Sequence, residues 1–147
     1  MSVSTLLRFA GALLVGLLTI TLVVEPLEFG LVTLLAGGVE SDPEVYFGIR
    51  NRPAFVAAKV VYNAVGGVLG GYVAARLAGR KEHLVGGLLA CVQAGALLWA
   101  MNDPELGRHT PVGIWALIIL ATVTGVVVGA TLRARRARPG RVKAPAS

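Results

Sequence analysis

Charge is scarce in this chain. Of its 147 residues, 15% are charged and 6% aromatic, against roughly 25% charged in an average soluble domain. The mean hydropathy is +0.73. These values argue against a disordered chain and against a soluble enzyme, and for an integral membrane protein of one small domain. Cysteine is nearly absent. Cys91 stands alone, so there is no intrachain disulfide and no CxxC pair. No P-loop run and no GxGxxG occur. No serine lies within a long apolar segment, and no aspartate or glutamate lies in the core of one. A membrane-embedded serine nucleophile, an aspartyl dyad and a carboxylate proton relay are therefore not expected. His83 and His109 fall in loops on opposite sides of the expected membrane and cannot share a metal. Neither catalysis nor a cofactor is expected.

Long apolar runs are what the chain has in abundance. Four are long enough to cross a bilayer, which takes about 20 helical residues: about 5–24, 54–75, 84–101 and 112–132. The first has a basic start, Arg8, and could be mistaken for a signal peptide. However, Val24-Glu25-Pro26 offers no small-x-small cleavage site, so it is expected to stay as a span, with Arg8 snorkelling to the headgroups. Asp42-Pro43-Glu44 reads as the start of a short helix through about Arg50, with Tyr46, Phe47 and Ile49 suiting an interfacial position. Asn51 and Pro53 read as start signals for the second span, and Thr110-Pro111 for the fourth. Leu27 to Gly38 is apolar but too short to span. It could extend the first helix past Pro26, re-enter the membrane or rest on its surface. The expected architecture is an all-α integral membrane four-helix bundle over 1–132, with a short interfacial helix in the first outer loop and a basic disordered tail over 133–147.

Loop charges orient this bundle. One side carries ten Lys/Arg and a single acid, Glu82; the other carries Arg50, Arg52 and Arg108 against seven acids. Basic residues favour the cytoplasmic side, so both termini are expected in the cytoplasm. Trp99 and Trp115 fall near the outer ends of their spans, where an aromatic belt is expected. The net charge of +6 is explained by this asymmetry, and nucleic acid is not an expected partner. The arginines Arg133, Arg135, Arg136 and Arg138 read as a stop-transfer signal; lipid-headgroup docking is the alternative.

Small residues mark helix contacts. Span two holds Gly66/Gly70 and Gly67/Gly71, and span four holds Gly125/Gly129, each at i, i+4. Such pairs let backbones approach closely. They suit tight packing within the bundle, or an interface in a homo-oligomer or larger membrane complex. Polar residues are few. Lys59 is the one full charge well inside a span, and a lysine at mid-helix costs about 2.5–3.5 kcal/mol on insertion scales. Asn63 follows at i+4, with Tyr62 beside it. Lys59 can pair with Glu25 or Glu28 at the outer end of span one, or it can belong to an anion or polar-ligand site. Gln93, midway along span three, needs a partner, and Asn63 is the expected one. Cys91 has no flanking base and reads as inert packing.

The run Gly70-Gly71-Tyr72-Val73-Ala74-Ala75-Arg76-Leu77-Ala78-Gly79-Arg80, followed by His83 and Gly86-Gly87, resembles a helix ending in uncharacterised small bacterial four-span membrane proteins. It covers about 20 residues. In those proteins a His-Gly pair often follows the motif, whereas here Leu84 and Val85 intervene. The resemblance implies a location in the bacterial cytoplasmic (inner) membrane and a four-span architecture, and no activity. The leading expectation is a non-catalytic structural or accessory subunit. The alternative is a small oligomeric channel or transporter with a polar site near Lys59 and Asn63.

Overall fold

The computed structural model describes residues 3–79 and 81–137. Helices follow the apolar runs: α1 Val3–Ala36, α2 Pro43–Arg50, α3 Pro53–Ala78, α4 Glu82–Asn102 and α5 Val112–Arg136, with no strand among the described residues. The protein is all-α. Its four long helices, α1, α3, α4 and α5, are each long and apolar enough to cross a membrane.

The first span differs most from the sequence reading. It does not end near Val24. α1 continues through Pro26 to Ala36 as one helix of 34 residues, about 51 Å at 1.5 Å per residue. Residues 27–36 therefore extend the first helix. Proline removes one i→i−4 bond, which need not end a helix when neighbouring helices hold it. The hold is visible in the register. Ala12, Gly16, Ile20, Val24, Glu28 and Val32 are all buried, and their spacing of four runs unbroken across Pro26. The stripe faces α3, which runs antiparallel. Arg8 lies level with Leu77, Gly16 with Ala74, Glu28 with Lys59, and Val32 clusters with Phe55. Arg8 Nε donates to the Leu77 carbonyl at 2.9 Å, so this arginine, expected among headgroups, satisfies an orphan acceptor at the end of α3.

Caps fall close to the expected places. Asp42 is the N-cap of α2, and its side chain accepts from the Glu44 N–H at 2.8 Å. The α3 cap is Arg52, without a side-chain bond. Asn51, expected there, instead donates from Nδ2 to the His109 carbonyl at 2.6 Å. α5 begins one residue later than Thr110-Pro111 suggests, with Pro111 as the cap. Its far end runs to Arg136, so residues 133–136, assigned to the tail, form the last helical turn. The α3–α4 turn uses Gly79 at φ +68°, a left-handed conformation that glycine adopts without a Cβ clash.

The two glycine pairs of α3 serve two different neighbours. A Cβ on Gly66 or Gly70 would lie within 3.0 Å of Val24 or Ile20 side chains of α1, and on Gly70 also of the Gly16 carbonyl. One on Gly67 or Gly71 would meet backbone of Thr122 or Val126 in α5, while Gly125 and Gly129 meet the Ala64 and Val68 carbonyls in return. All six glycines are thus committed within the chain. Here α3 and α5 approach backbone to backbone, a geometry that small residues permit and larger ones exclude. α4 packs differently. Its buried residues, Val85, Gly86, Leu89 and Ala90, occupy only the half next to the α3–α4 turn.

Candidate functional site

The half of α4 beyond Ala90 leaves space. A partly open cavity of about 360 Å³ lies there, walled by all four long helices and crossed by α2. Its charged residues are Glu25 and Glu28 from α1, Arg50 from α2 and Lys59 from α3. Opposite them stand Leu97 and Ala100 of α4 and Trp115 and Ile118 of α5. The volume falls within the range of small-molecule sites, roughly 300–1,000 Å³.

Glu28 is the centre of the polar wall. It is 5% exposed. One carboxylate oxygen, Oε1, pairs with Arg50 Nη2 at 2.5 Å. The other, Oε2, pairs with Lys59 Nζ at 2.9 Å and accepts from the Tyr62 hydroxyl at 2.6 Å. A buried carboxylate demands such partners, because burying an unpaired charge costs several kcal/mol. Of the two acids offered to Lys59, Glu28 holds it, while Glu25 sits exposed at the rim. Replacing Tyr62 by Phe removes one of the three donors and little volume. It is expected to lower stability by about 1 kcal/mol, read as an earlier midpoint in a denaturant titration of the purified protein. An unmoved midpoint would show that the hydroxyl adds nothing to the cluster.

Asn63, next along the stripe, is also buried. Its Nδ2 donates to the Lys59 carbonyl at 2.8 Å, and its Oδ1 lies 3.3 Å from the Thr122 hydroxyl, which donates chiefly to the Ile118 carbonyl at 2.8 Å. Thr122, fully buried, therefore takes the place expected for Gln93. Gln93 is half-buried on α4, one turn short of Leu97 on the same face, and the hydrogen bonds of Asn63 go to Lys59 and Thr122 instead.

Arg50 had no role in the sequence reading beyond its charge, yet it organises the covered end of the cavity. Its guanidinium carbon lies 4.9 Å from the Phe47 ring centre and 5.6 Å from that of Tyr46, both within cation–π range. Phe47 stacks on His109, with ring centres 4.8 Å apart and planes 13° from parallel. With Asn51 bound to the His109 carbonyl, α2 is pinned to the α4–α5 connection and, through Arg50, to α1. Burial raises the Tyr46 phenol above its ordinary pKa, and the nearby Glu28 carboxylate adds to the effect. The sequence signal that could have found Arg50 is its place at the end of a short aromatic helix, beside an acid-bearing helix.

Two donors at the cavity lack partners. Arg50 Nε and Trp115 Nε1 are buried with no hydrogen-bond partner among the described residues. Trp115, expected in an interfacial belt, is only 7% exposed and lines the cavity; Trp99, at 71%, faces outward. The remaining expected sites lie elsewhere. Cys91 is exposed on the outside of α4. At the opposite end of the bundle, Arg136 lies 5.8 Å from the Tyr72 ring centre, Arg133 has a buried Nε and Arg135 is exposed. Arg138 lies outside the described residues. No group of three or more His, Cys, Asp or Glu that could hold a metal ion occurs among the described residues.

Four apolar spans with an internal polar cluster define the class: a multi-pass membrane protein. Compared with family models, curated proteins and solved structures, the chain matches none.

Proposed function

We propose that this protein is a ligand-binding membrane protein of the small carrier or channel type, without catalytic activity. The observation that carries this reading is the cavity. Lys59, Asn63, Glu28 and Arg50, bonded to one another, form the polar wall of one chamber bounded by every span. The glycine faces that favoured an accessory subunit are taken up by α1–α3 and α3–α5 contacts, so they offer little to a partner. A second reading, a subunit of a larger complex, is favoured by one feature. Leu34 and Leu35 are exposed at the end of α1, a turn beyond the level of Phe55.

The excess of Lys/Arg on the α3–α4 turn and at both ends of the chain supports a cytoplasmic position for the termini. The α2 end of the bundle, with the cavity, then faces away from the cytoplasm, in the inner membrane of a bacterium. Cysteine accessibility tests both points. In a Cys91→Ser background, Ala100→Cys places a thiol on the cavity wall. A membrane-impermeant maleimide added to intact cells is expected to label it. Labelling only after the cells are opened would overturn the orientation, and no labelling under either condition would overturn the open cavity.

A further inference from the structure

We infer that the ligand of this cavity is a small organic carboxylate with an apolar body, whose acid group completes the charge of the Arg50–Glu28–Lys59 cluster. The inference rests on the cavity being a ligand site and names what that site selects.

Charge sets the sign of the ligand. Two cations, Arg50 and Lys59, converge on one buried carboxylate. Glu25, the other acid at the cavity, is exposed at its rim and forms no ion pair with either cation. The buried cluster therefore carries one net positive charge against a wall of Leu97, Trp115 and Ile118. Glu25 counters this charge only from the exposed rim, so an anion brought beside the buried excess in such apolar surroundings is favoured.

Hydrogen bonding points the same way. The two oxygens of Glu28 already serve three donors, so the carboxylate has little left to offer an incoming amine. Donors are in surplus. Arg50 Nε and the Trp115 indole N–H are buried and unpartnered, and Lys59 has N–H groups beyond the one directed at Glu28. A ligand that accepts hydrogen bonds finds partners at the buried cluster, whereas one that donates finds free acceptor capacity at the exposed Glu25 carboxylate on the rim. The guanidinium's planar fork suits a carboxylate in particular. The opposite wall, with Leu97, Ala100, Leu106 and Ile118, would be left wet by an inorganic anion and is covered by a hydrocarbon or aromatic body.

Such a carboxylate could arrive from water or from the bilayer, and the probes separate the two. The full chain is placed in nanodiscs of a zwitterionic lipid, and binding is read by isothermal titration calorimetry and by thermal shift, neither of which depends on Trp115 as a reporter. Benzoate represents a water-borne acid and laurate a bilayer-borne one; benzamide and benzylamine are the neutral and cationic isosteres of the first, and lauramide and dodecylamine of the second. Saturable binding by either acid, at least tenfold tighter than its own isosteres, is the expected result, and the preferred acid identifies the source. Trp115→Phe keeps the aromatic wall and removes the N–H, and is expected to weaken that acid about tenfold. Arg50→Gln is expected to weaken it about a hundredfold. Because Arg50→Gln also removes a structural ion pair, the milder Trp115→Phe is the deciding variant. Equal binding of an acid and its neutral or cationic isostere would overturn the anion assignment while leaving a ligand site in place. Failure of all six probes, with Ala100→Cys still labelled from outside, would also overturn the carboxylate. Failure with that thiol unlabelled would remove the ligand site itself.

Discussion

Glu28→Gln is expected to be the most damaging single polar substitution in this protein, lowering stability by about 3 kcal/mol. Removing one partner of a buried ion pair typically costs about 3–5 kcal/mol, because the other charge is left buried. Here two charges are left, since Arg50 and Lys59 both converge on Glu28. The lower end of the range applies because helices unfolded within a membrane still find alternative partners. Lys59→Met is expected to cost less than half as much and to leave folding intact, because Glu28 keeps Arg50 and Tyr62. The double variant Glu28→Gln/Lys59→Met should recover part of the loss by removing one stranded cation. Denaturation midpoints in mixed micelles measure all three. If Glu28→Gln unfolds no earlier than Lys59→Met, Glu28 is not the centre of the cluster.

The second large effect concerns the α3–α5 contact. A Cβ at Gly71 would fall against the backbone carbonyl of Val126, which cannot rotate away as a side chain can. Gly71→Leu therefore forces the two helices apart along the closest contact in the bundle. Overpacking a tight site typically costs about 1–3 kcal/mol, and a loss at or above the top of that range is expected here. Gly87 is the control, with open space where its Cβ would be. In a helix interior alanine is favoured over glycine by roughly 0.5–1 kcal/mol, so Gly87→Ala is expected to be neutral or slightly stabilising. Opposite signs from two glycines in the same bundle would separate backbone packing from helix propensity. A shared sign would mean that Gly71 does not face α5.

Much of this could be read from the residues. The four spans follow from apolar runs, and the short helix from Asp42-Pro43-Glu44, because both signals are local and repeat within a few residues. The glycine spacing in α3 and α5 likewise announces close helix contacts. What it does not say is that adjacent glycines serve different helices, Gly66/Gly70 meeting α1 and Gly67/Gly71 meeting α5. That division depends on which neighbours arrive on each side of α3.

Other features were decided only by the tertiary structure. Glu25, Pro26 and Glu28 look like the end of a span, since acids and proline are unfavourable in an isolated helix within lipid. Packed antiparallel on α3, the same helix continues to Ala36, because Lys59, Tyr62 and Arg50 supply the charge and hydrogen bonds that make a buried Glu28 tolerable. Trp115 shows the reverse case. Its position near a span end suggests an interface, but its direction from α5 turns it into the cavity. The amino-acid sequence by itself determined the number and apolar character of the helices, since those depend on neighbours in the chain. The cluster at Glu28 depends on four side chains from three helices meeting at one level, and only the antiparallel register of α1 on α3, with α2 laid across their end, brings them together.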